Sequence, residues 1–365
     1  MKKIIWLFVA VGLAGGVHLE LRKAEKHRRV AAGLCAEPAS RPAQAQARAE
    51  GMEIDSHGCI LAPSAVQDTI ARAAPAALSV SPPPANLALA RAGFSTRVVG
   101  AAWPREALPV APPELFVRSD YASGKYLDMP AYVSPDPKDG KRHPAIIWLS
   151  GGDFSSFGKF WEPGSPDNDQ SARQFREAGL VMMFPSLRGS ANNASRPEFF
   201  FGEVDDVLAA AEHLARLPYV DPQRIYLGGH STGGTLALLV AESSPRFKAV
   251  FALGPVEHAL DYPRSLFPLS ERGMDAREAR LRSPVEWLAG ISTPTFLIEG
   301  MEAPGNAAAL DALCKRSSNP LVQCIAVPGQ NHFSVIAPAA RVIAAKLAIE
   351  VPGIPFSLRA DQMQK

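Results

Sequence analysis

The sequence has little charge of either sign to spare. Its 38 Lys and Arg against 36 Asp and Glu leave a net charge of +2, too small for the basic face a polyanion requires. No zinc-finger, aromatic-basic or helix-turn-helix spacing accompanies it, so nucleic acid is set aside as a partner. Cysteine is scarce as well: Cys35, Cys59, Cys314 and Cys324 stand at no metal-ligand spacing. Histidines and carboxylates form no ligand cluster either, and neither a metal nor another cofactor is expected. No segment recurs with a period of about 20 to 50 residues, which argues against a propeller or solenoid. Long apolar runs are also missing: the N-terminal run 4–17 stops at fourteen residues, short of the roughly 20 that span a bilayer as a helix.

What is present is an ordinary globular balance, 47% apolar and 20% charged over 365 residues, enough for one large domain with a sizeable core. Lys2 and Lys3 precede the run 4–17, which ends in Ala14, Gly15 and Gly16; residues 1–30 therefore read as a signal peptide or membrane anchor. That reading expects an exported or membrane-anchored protein, on the periplasmic side if bacterial. The basic cluster Arg22, Lys23, Lys26, Arg28 and Arg29 opposes export and keeps a cytoplasmic location as the alternative. With export, Cys314 would bridge to Cys324 from the end of a helix to the next strand, and Cys35 to Cys59. Otherwise they are buried free thiols. Residues 31–92, rich in Ala and Pro with Pro82, Pro83 and Pro84 consecutive, read as a linker holding one or two short helices. The folded domain is expected over 93–350 and a tail over 351–365.

Within the domain, 115–117 and 126–133 read as two opening strands with Ser123-Gly124 as the turn. Then 145–149, 180–184, 225–227, 249–253, 295–298 and 322–327 recur as continuous apolar runs separated by helical lengths. Such alternation predicts an α/β fold with an eight-stranded, mostly parallel sheet and helices on both faces. Helix 204–217 carries Val204, Val207, Leu208, Ala211, Leu214 and Leu217 at three- and four-residue intervals. Pro218 and Asp221-Pro222 end it and lead into the strand before Ser231.

Gly229-His230-Ser231-Thr232-Gly233 then lies between a strand and a helix, where a sharp turn exposes the serine and glycines admit the neighbouring chain. A phosphate-binding helix start is disfavoured because no Lys follows. A serine hydroxyl needs a base to take its proton. His332, in the loop after the last strand, is the candidate, and His230 is expected to point away from the reacting centre. The acid that orients the imidazole should follow the strand 295–298, where the sequence offers Glu302, the preferred residue, and Glu299. Oxyanion donors are expected from the backbone of Thr232 and of the loop Ser150-Gly151-Gly152, with Gly152 preferred over Gly151.

The stretch from Asp205-Asp206-Val207 through Val220-Asp221-Pro222-Gln223-Arg224-Ile225 to Gly229-His230-Ser231-Thr232-Gly233-Gly234 resembles the catalytic domain of the prolyl oligopeptidase group. Related bacterial esterases and dienelactone-hydrolase-like proteins share the likeness, which runs over 114–347. It implies the α/β-hydrolase fold and a serine hydrolase acting on an ester or a peptide bond. Arg188-Gly189 after the fourth strand is also similar, with Arg188 expected to pair with Asp205 or Asp206. Two loops depart from the group. Its His-Gly-Gly is Ser150-Gly151-Gly152 here, and its His-Gly-x-x-Asp is Glu299-Gly300-Met301-Glu302-Ala303. The residues before the domain lack the strand repeats of the propeller that screens peptides in the peptidases, so a small ester and a short peptide are equally open as substrates. About 35 residues from 258 to 291 would form a small helical cover that shapes the pocket. A fold that has lost activity and serves as a binding or envelope protein is the competing reading.

Overall fold

Apolar runs without polar alternation must be covered on both faces, and the chain covers them with helices. The computed structural model describes residues 86–104, 106–154, 160–193, 195–267, 269, 273–349 and 356–364, all within the unit Pro83–Lys365. The N-terminal segment 1–30, nearly all of 31–92, and with them Cys35 and Cys59, lie outside the described residues. Among the described residues no helix is long and apolar enough to cross a membrane.

The strands are β1 (Val117–Arg118), β2 (Tyr121–Ser123), β3 (Tyr126–Met129), β4 (Ala131–Val133), β5 (His143–Leu149), β6 (Val181–Pro185), β7 (Val220–His230), β8 (Val250–Leu253), β9 (Thr295–Glu302) and β10 (Val322–Asn331). Eight of them form one sheet in the order β1-β4-β6-β5-β7-β8-β9-β10, and β2 with β3 forms a separate ribbon. Within the eight-stranded sheet β4 runs antiparallel to β1 and β6 and the other pairings are parallel; β2 and β3 are antiparallel. This is the α/β architecture expected from the spacing. The single strand expected over 126–133 is two. Pro130 has no N–H for a ladder, and its carbonyl accepts from Ser186 N at 2.8 Å instead, so the chain turns there from ribbon to sheet.

Side chains alternate across the central strands. Ala145, Ile147, Leu149, Val250, Ala252 and Leu297 join one buried cluster, while Ile146, Trp148, Phe251, Leu253, Phe296 and Ile298 join the other. Seven α-helices are described: α1 (Leu87–Arg91), α2 (Gln174–Glu177), α3 (Glu203–Ala215), α4 (Thr232–Ser243), α5 (Ala276–Arg280), α6 (Ala307–Arg316) and α7 (Ile336–Ala348). α3 and α4 cover the first face through Val204, Val207, Leu214, Leu236 and Leu239. α7 covers the second through Ile336, Ala340, Ile343 and Leu347. From β5 the chain passes to β6 on one side and then to β7 on the other. Such a reversal opens a crevice at the carboxyl ends of the strands, and Ser231 follows β7 there.

Packing extends beyond 93–350 at both ends. Leu87 is fully buried, and Arg91 donates to Phe201 O at 2.9 Å and pairs with Asp205 at 2.8 Å. Beyond the domain's expected end, Leu358 and Met363 enter the second cluster. The segment 258–291 does form a helical cover, made of α5 and short 3-10 turns at Ala259–Asp261, Pro284–Glu286 and Leu288–Gly290. Arg282 anchors it: its fully buried guanidinium donates to Phe199 O at 2.7 Å and Glu198 O at 2.9 Å and pairs with Glu278. Cys314 and Cys324 form a disulfide between α6 and β10.

Candidate active site

Ser231 occupies φ 56° and ψ −116°, a conformation that a non-glycine residue holds only when its surroundings impose it. Here they do. Ser231 N donates to Leu253 O at 2.8 Å, and Ser231 O accepts from Thr235 N at 2.9 Å, so the turn is tied to β8 and to α4. A Cβ on Gly233 would lie 2.1 Å from Leu149 O, which makes glycine obligatory where α4 crosses the end of β5.

His332 leaves the end of β10, and its backbone N–H donates to Pro304 O at 3.1 Å. Its Nδ1 faces both carboxylate oxygens of Glu299, at 3.2 and 3.1 Å. Glu299 is fully buried, and Asn306 N donates to its Oε1 at 3.3 Å. Room for the pair comes from Gly254, at φ +63°, where a Cβ would lie 2.4 Å from His332 Cε1 and 2.6 Å from Glu299 Oε2. No hydrogen bond among the described residues uses His332 Nε2.

The preference for Glu302 over Glu299 is corrected by this geometry. β9 does not stop at Ile298 but continues to Glu302, which pairs with Asn331 as Glu299 pairs with Ala326. Glu302 is consequently the exposed end of a strand and forms no hydrogen bond or ion pair with His332 among the described residues. Glu299 points inward, in the position where the family-like loop carries His.

Thr232 opens α4, so its N–H has no partner inside the helix, and its hydroxyl donates to Gly152 O at 2.7 Å. That bond orients the Gly152 residue, at φ +114°, beside the nucleophile's turn. Gly151 N is already engaged, donating to Gln170 Oε1 at 3.2 Å. No hydrogen bond among the described residues uses the N–H of Gly152 or of Thr232. A cleft of about 160 Å³ adjoins this loop, bounded by Trp148, Ser150, Gly151, Phe184 and Leu187.

Two site residues were not legible as such. Tyr262, from the cover, has its hydroxyl 2.7 Å from Oγ1 of Thr235, whose backbone N–H donates to Ser231 O at 2.9 Å. Burial raises its phenol pKa, so the hydroxyl keeps its proton. Its ring stacks on Phe200 at 5.6 Å, and Phe267 approaches Phe200 at 4.9 Å and Phe154 at 5.8 Å. Phe154 and Phe200 both hold positive φ, 63° and 67°, so strained aromatics and the strained serine adjoin one another. His230 lies within the site: its ring centroid is 4.4 Å from that of His332. The only signal for Tyr262 in the sequence is its place in the segment expected to shape the pocket.

Arg188 resolves its two expected partners. It binds Asp206 through Nε at 3.0 Å and Nη2 at 2.8 Å, whereas Asp205 pairs with Arg91. A two-pronged buried pair of this kind fixes the loop after β6 and leaves both aspartates outside the chemistry.

Comparison with known proteins follows the same lines. The sequence model of the prolyl oligopeptidase family matches residues 167–349, half of the 365-residue chain. Dipeptidyl-peptidase 5 of Porphyromonas gingivalis is 27% identical over a segment that covers 33% of this chain and 18% of its own. The uncharacterized peptidase YuxL of Bacillus subtilis is 24% identical, covering 33% of this chain and 21% of its own. The matched segments thus span about a fifth of these curated relatives. Among solved structures, a puromycin-hydrolyzing peptidase of Mycobacterium tuberculosis superposes with a TM-score of 0.54 at 18% identity, over 67% of this chain and 40% of that one. A puromycin hydrolase gives 0.50 at 18% identity, over 68% and 42%. At such identity the two structures speak for the fold alone, an α/β-hydrolase sheet. With the family match over half its length, the chain belongs to the prolyl oligopeptidase family of serine hydrolases.

Proposed function

We propose that the protein hydrolyses a short acyl ester or a short peptide or amide through an acyl-enzyme on Ser231. One observation carries the reading: both oxygens of Glu299 hold the Nδ1 edge of His332 at 3.2 and 3.1 Å, while no hydrogen bond among the described residues uses Nε2. Glu299 thereby fixes the tautomer with its proton on Nδ1 and favours the imidazolium that forms when Nε2 takes the Ser231 proton. Ser231 Oγ attacks the substrate carbonyl, and the oxygen that gains charge is met by the N–H groups of Thr232 and Gly152. As the carbon–heteroatom bond breaks, His332 Nε2 returns its proton to the leaving group. Water then repeats the sequence on the acyl-serine, with His332 again as base. A fluorophosphonate probe tests the reading: covalent labelling of the folded protein that Ser231→Ala abolishes is expected, and absence of labelling of the wild type defeats it.

The proposal extends to location. The Cys314–Cys324 disulfide supports export or membrane anchoring, since such bonds persist in oxidising compartments, and Lys2, Lys3 and the run 4–17 support it from the other end of the chain.

A further inference from the structure

Three hydrogen bonds run in series beneath the catalytic groups. Gly151 N donates to Gln170 Oε1 at 3.2 Å, Gln170 Nε2 donates to His230 Nδ1 at 2.8 Å, and His230 Nε2 donates to His332 O at 2.8 Å. The direction of each bond is dictated by the ends. A carbonyl only accepts, so the His230 proton is on Nε2 and Nδ1 presents a lone pair. Gln170 must then offer its NH2 to His230, which turns its oxygen to the Gly151 amide. Asn168 Oδ1 accepts the second proton of that NH2 at 2.9 Å, so no other orientation of the amide satisfies its neighbours. His230 is 1% exposed; burial first, and then the neighbouring His332, push its pKa down to about 3. The ring is therefore uncharged wherever His332 can act as a base. Contact is direct as well: a Cβ on Gly151 would lie 3.1 Å from His230 Nδ1 and 3.2 Å from Ser231 Cβ.

We infer that Gln170 and His230 are positioning residues that act as one unit, holding the loop of the Gly152 oxyanion donor in register with the loop of the His332 base. The inference rests on the reading of Ser231 and His332 as nucleophile and base. It accounts for why Gly151 N–H is withdrawn from the reacting centre and why a histidine precedes the serine. The two loops lie 19 and 102 residues from their partners in the relay, and neither end touches the other directly. A shift of either loop misaligns groups whose rate contribution depends on fixed geometry in the transition state rather than on substrate binding.

The test cuts the relay at its partly exposed member and at its buried one, in the full chain, with p-nitrophenyl acetate as substrate. Gln170→Met removes both of its relay bonds, to Gly151 N and His230 Nδ1, and the one to Asn168 Oδ1, while His230→Gln keeps a donor toward His332 O and loses the ring acceptor. Each is expected to lower kcat about tenfold, the worth of one misplaced hydrogen bond, with KM changed less than about threefold. The double variant is expected to lose no more than the worse single one, because both break the same link. Thermal midpoints are measured beside the kinetics, and Gln170→Met alone carries the test if His230→Gln fails to fold. Turnover that needs Ser231 but keeps its wild-type kcat in Gln170→Met overturns the inference alone. Losses in kcat that multiply in the double variant also overturn it. Turnover that survives Ser231→Ala overturns the Ser231 reading and this inference with it.

Discussion

At the scale of single residues, the site turns on which glutamate meets the imidazole. Glu299→Gln replaces an ion with an amide of the same shape, so the fold is kept while the imidazolium loses its counter-charge and the tautomer its anchor. Loss of kcat by a factor of about 10⁴ is expected, as follows amide replacement of the carboxylate in such a relay. Glu302→Gln, on an exposed strand end, is expected to change activity less than about twofold. Steady-state kinetics of the two variants side by side decides, and the reverse ranking refutes the assignment. Tyr262 is a second residue whose role is open to measurement. Its hydroxyl lies 2.7 Å from Thr235 Oγ1; Thr235 N donates to Ser231 O at 2.9 Å, and Thr235 Oγ1 accepts from Val256 N at 3.0 Å. Tyr262→Phe keeps the ring stacked on Phe200 and deletes only that hydroxyl. A fall in kcat of about tenfold is expected from one lost hydrogen bond to the residue that ties down the Ser231 turn; unchanged kcat makes the hydroxyl a packing group.

At the scale of elements, the strands of the sheet were legible because continuous apolar runs leave no other solution than burial on two faces. The elbow was legible for a related reason: only glycine lets Leu149 O approach Gly233 at that distance. What the sequence hid was how far an element runs. Reading β9 as ending at Ile298 made Glu302 a loop residue, whereas the strand continues and carries Glu299 inward. The change from one strand to two at Pro130 is the same error in reverse. Gln170 and Tyr262 lay beyond reach because they act from irregular segments, where no period ties a residue to a face. The pairing of Cys314 with Cys324 was one of two readings that the sequence left open, buried free thiols being the other. This bond closes a loop of sequence separation 10 between the end of α6 and the strand that leads to His332. Reducing it frees the unfolded chain by the entropy of that loop, about 3 kcal/mol. Urea unfolding with and without reductant is expected to differ in midpoint by that stability at equal slope, and an unchanged midpoint refutes a stabilising role.

At the scale of the whole molecule, buried carboxyls make stability vary with pH: burial raises the pKa of both Glu242 and Glu203. Glu203 opens α3 and is 1% exposed. Its Oε1 accepts from Glu198 N at 2.8 Å and Phe199 N at 3.0 Å, while Oε2 has no hydrogen-bond partner among the described residues. Burial raises its pKa from 4.5 to about 7 against the pull of Arg188. A carboxyl with a folded pKa above its unfolded one binds more protons in the native state between the two values. Its contribution is therefore fully present below pH 4.5 and is lost as pH rises through about 7. The loss is on the order of 3 kcal/mol once the group is ionised in both states. Glu203→Gln keeps the acceptor for Glu198 and Phe199 and cannot ionise, so it is expected to remove this slope and to be the more stable form at pH 8. The difference in unfolding free energy between variant and wild type, measured by urea at pH 4.5 and at pH 8, isolates the group from every other titration. A difference that stays constant across that range refutes a raised native pKa for Glu203.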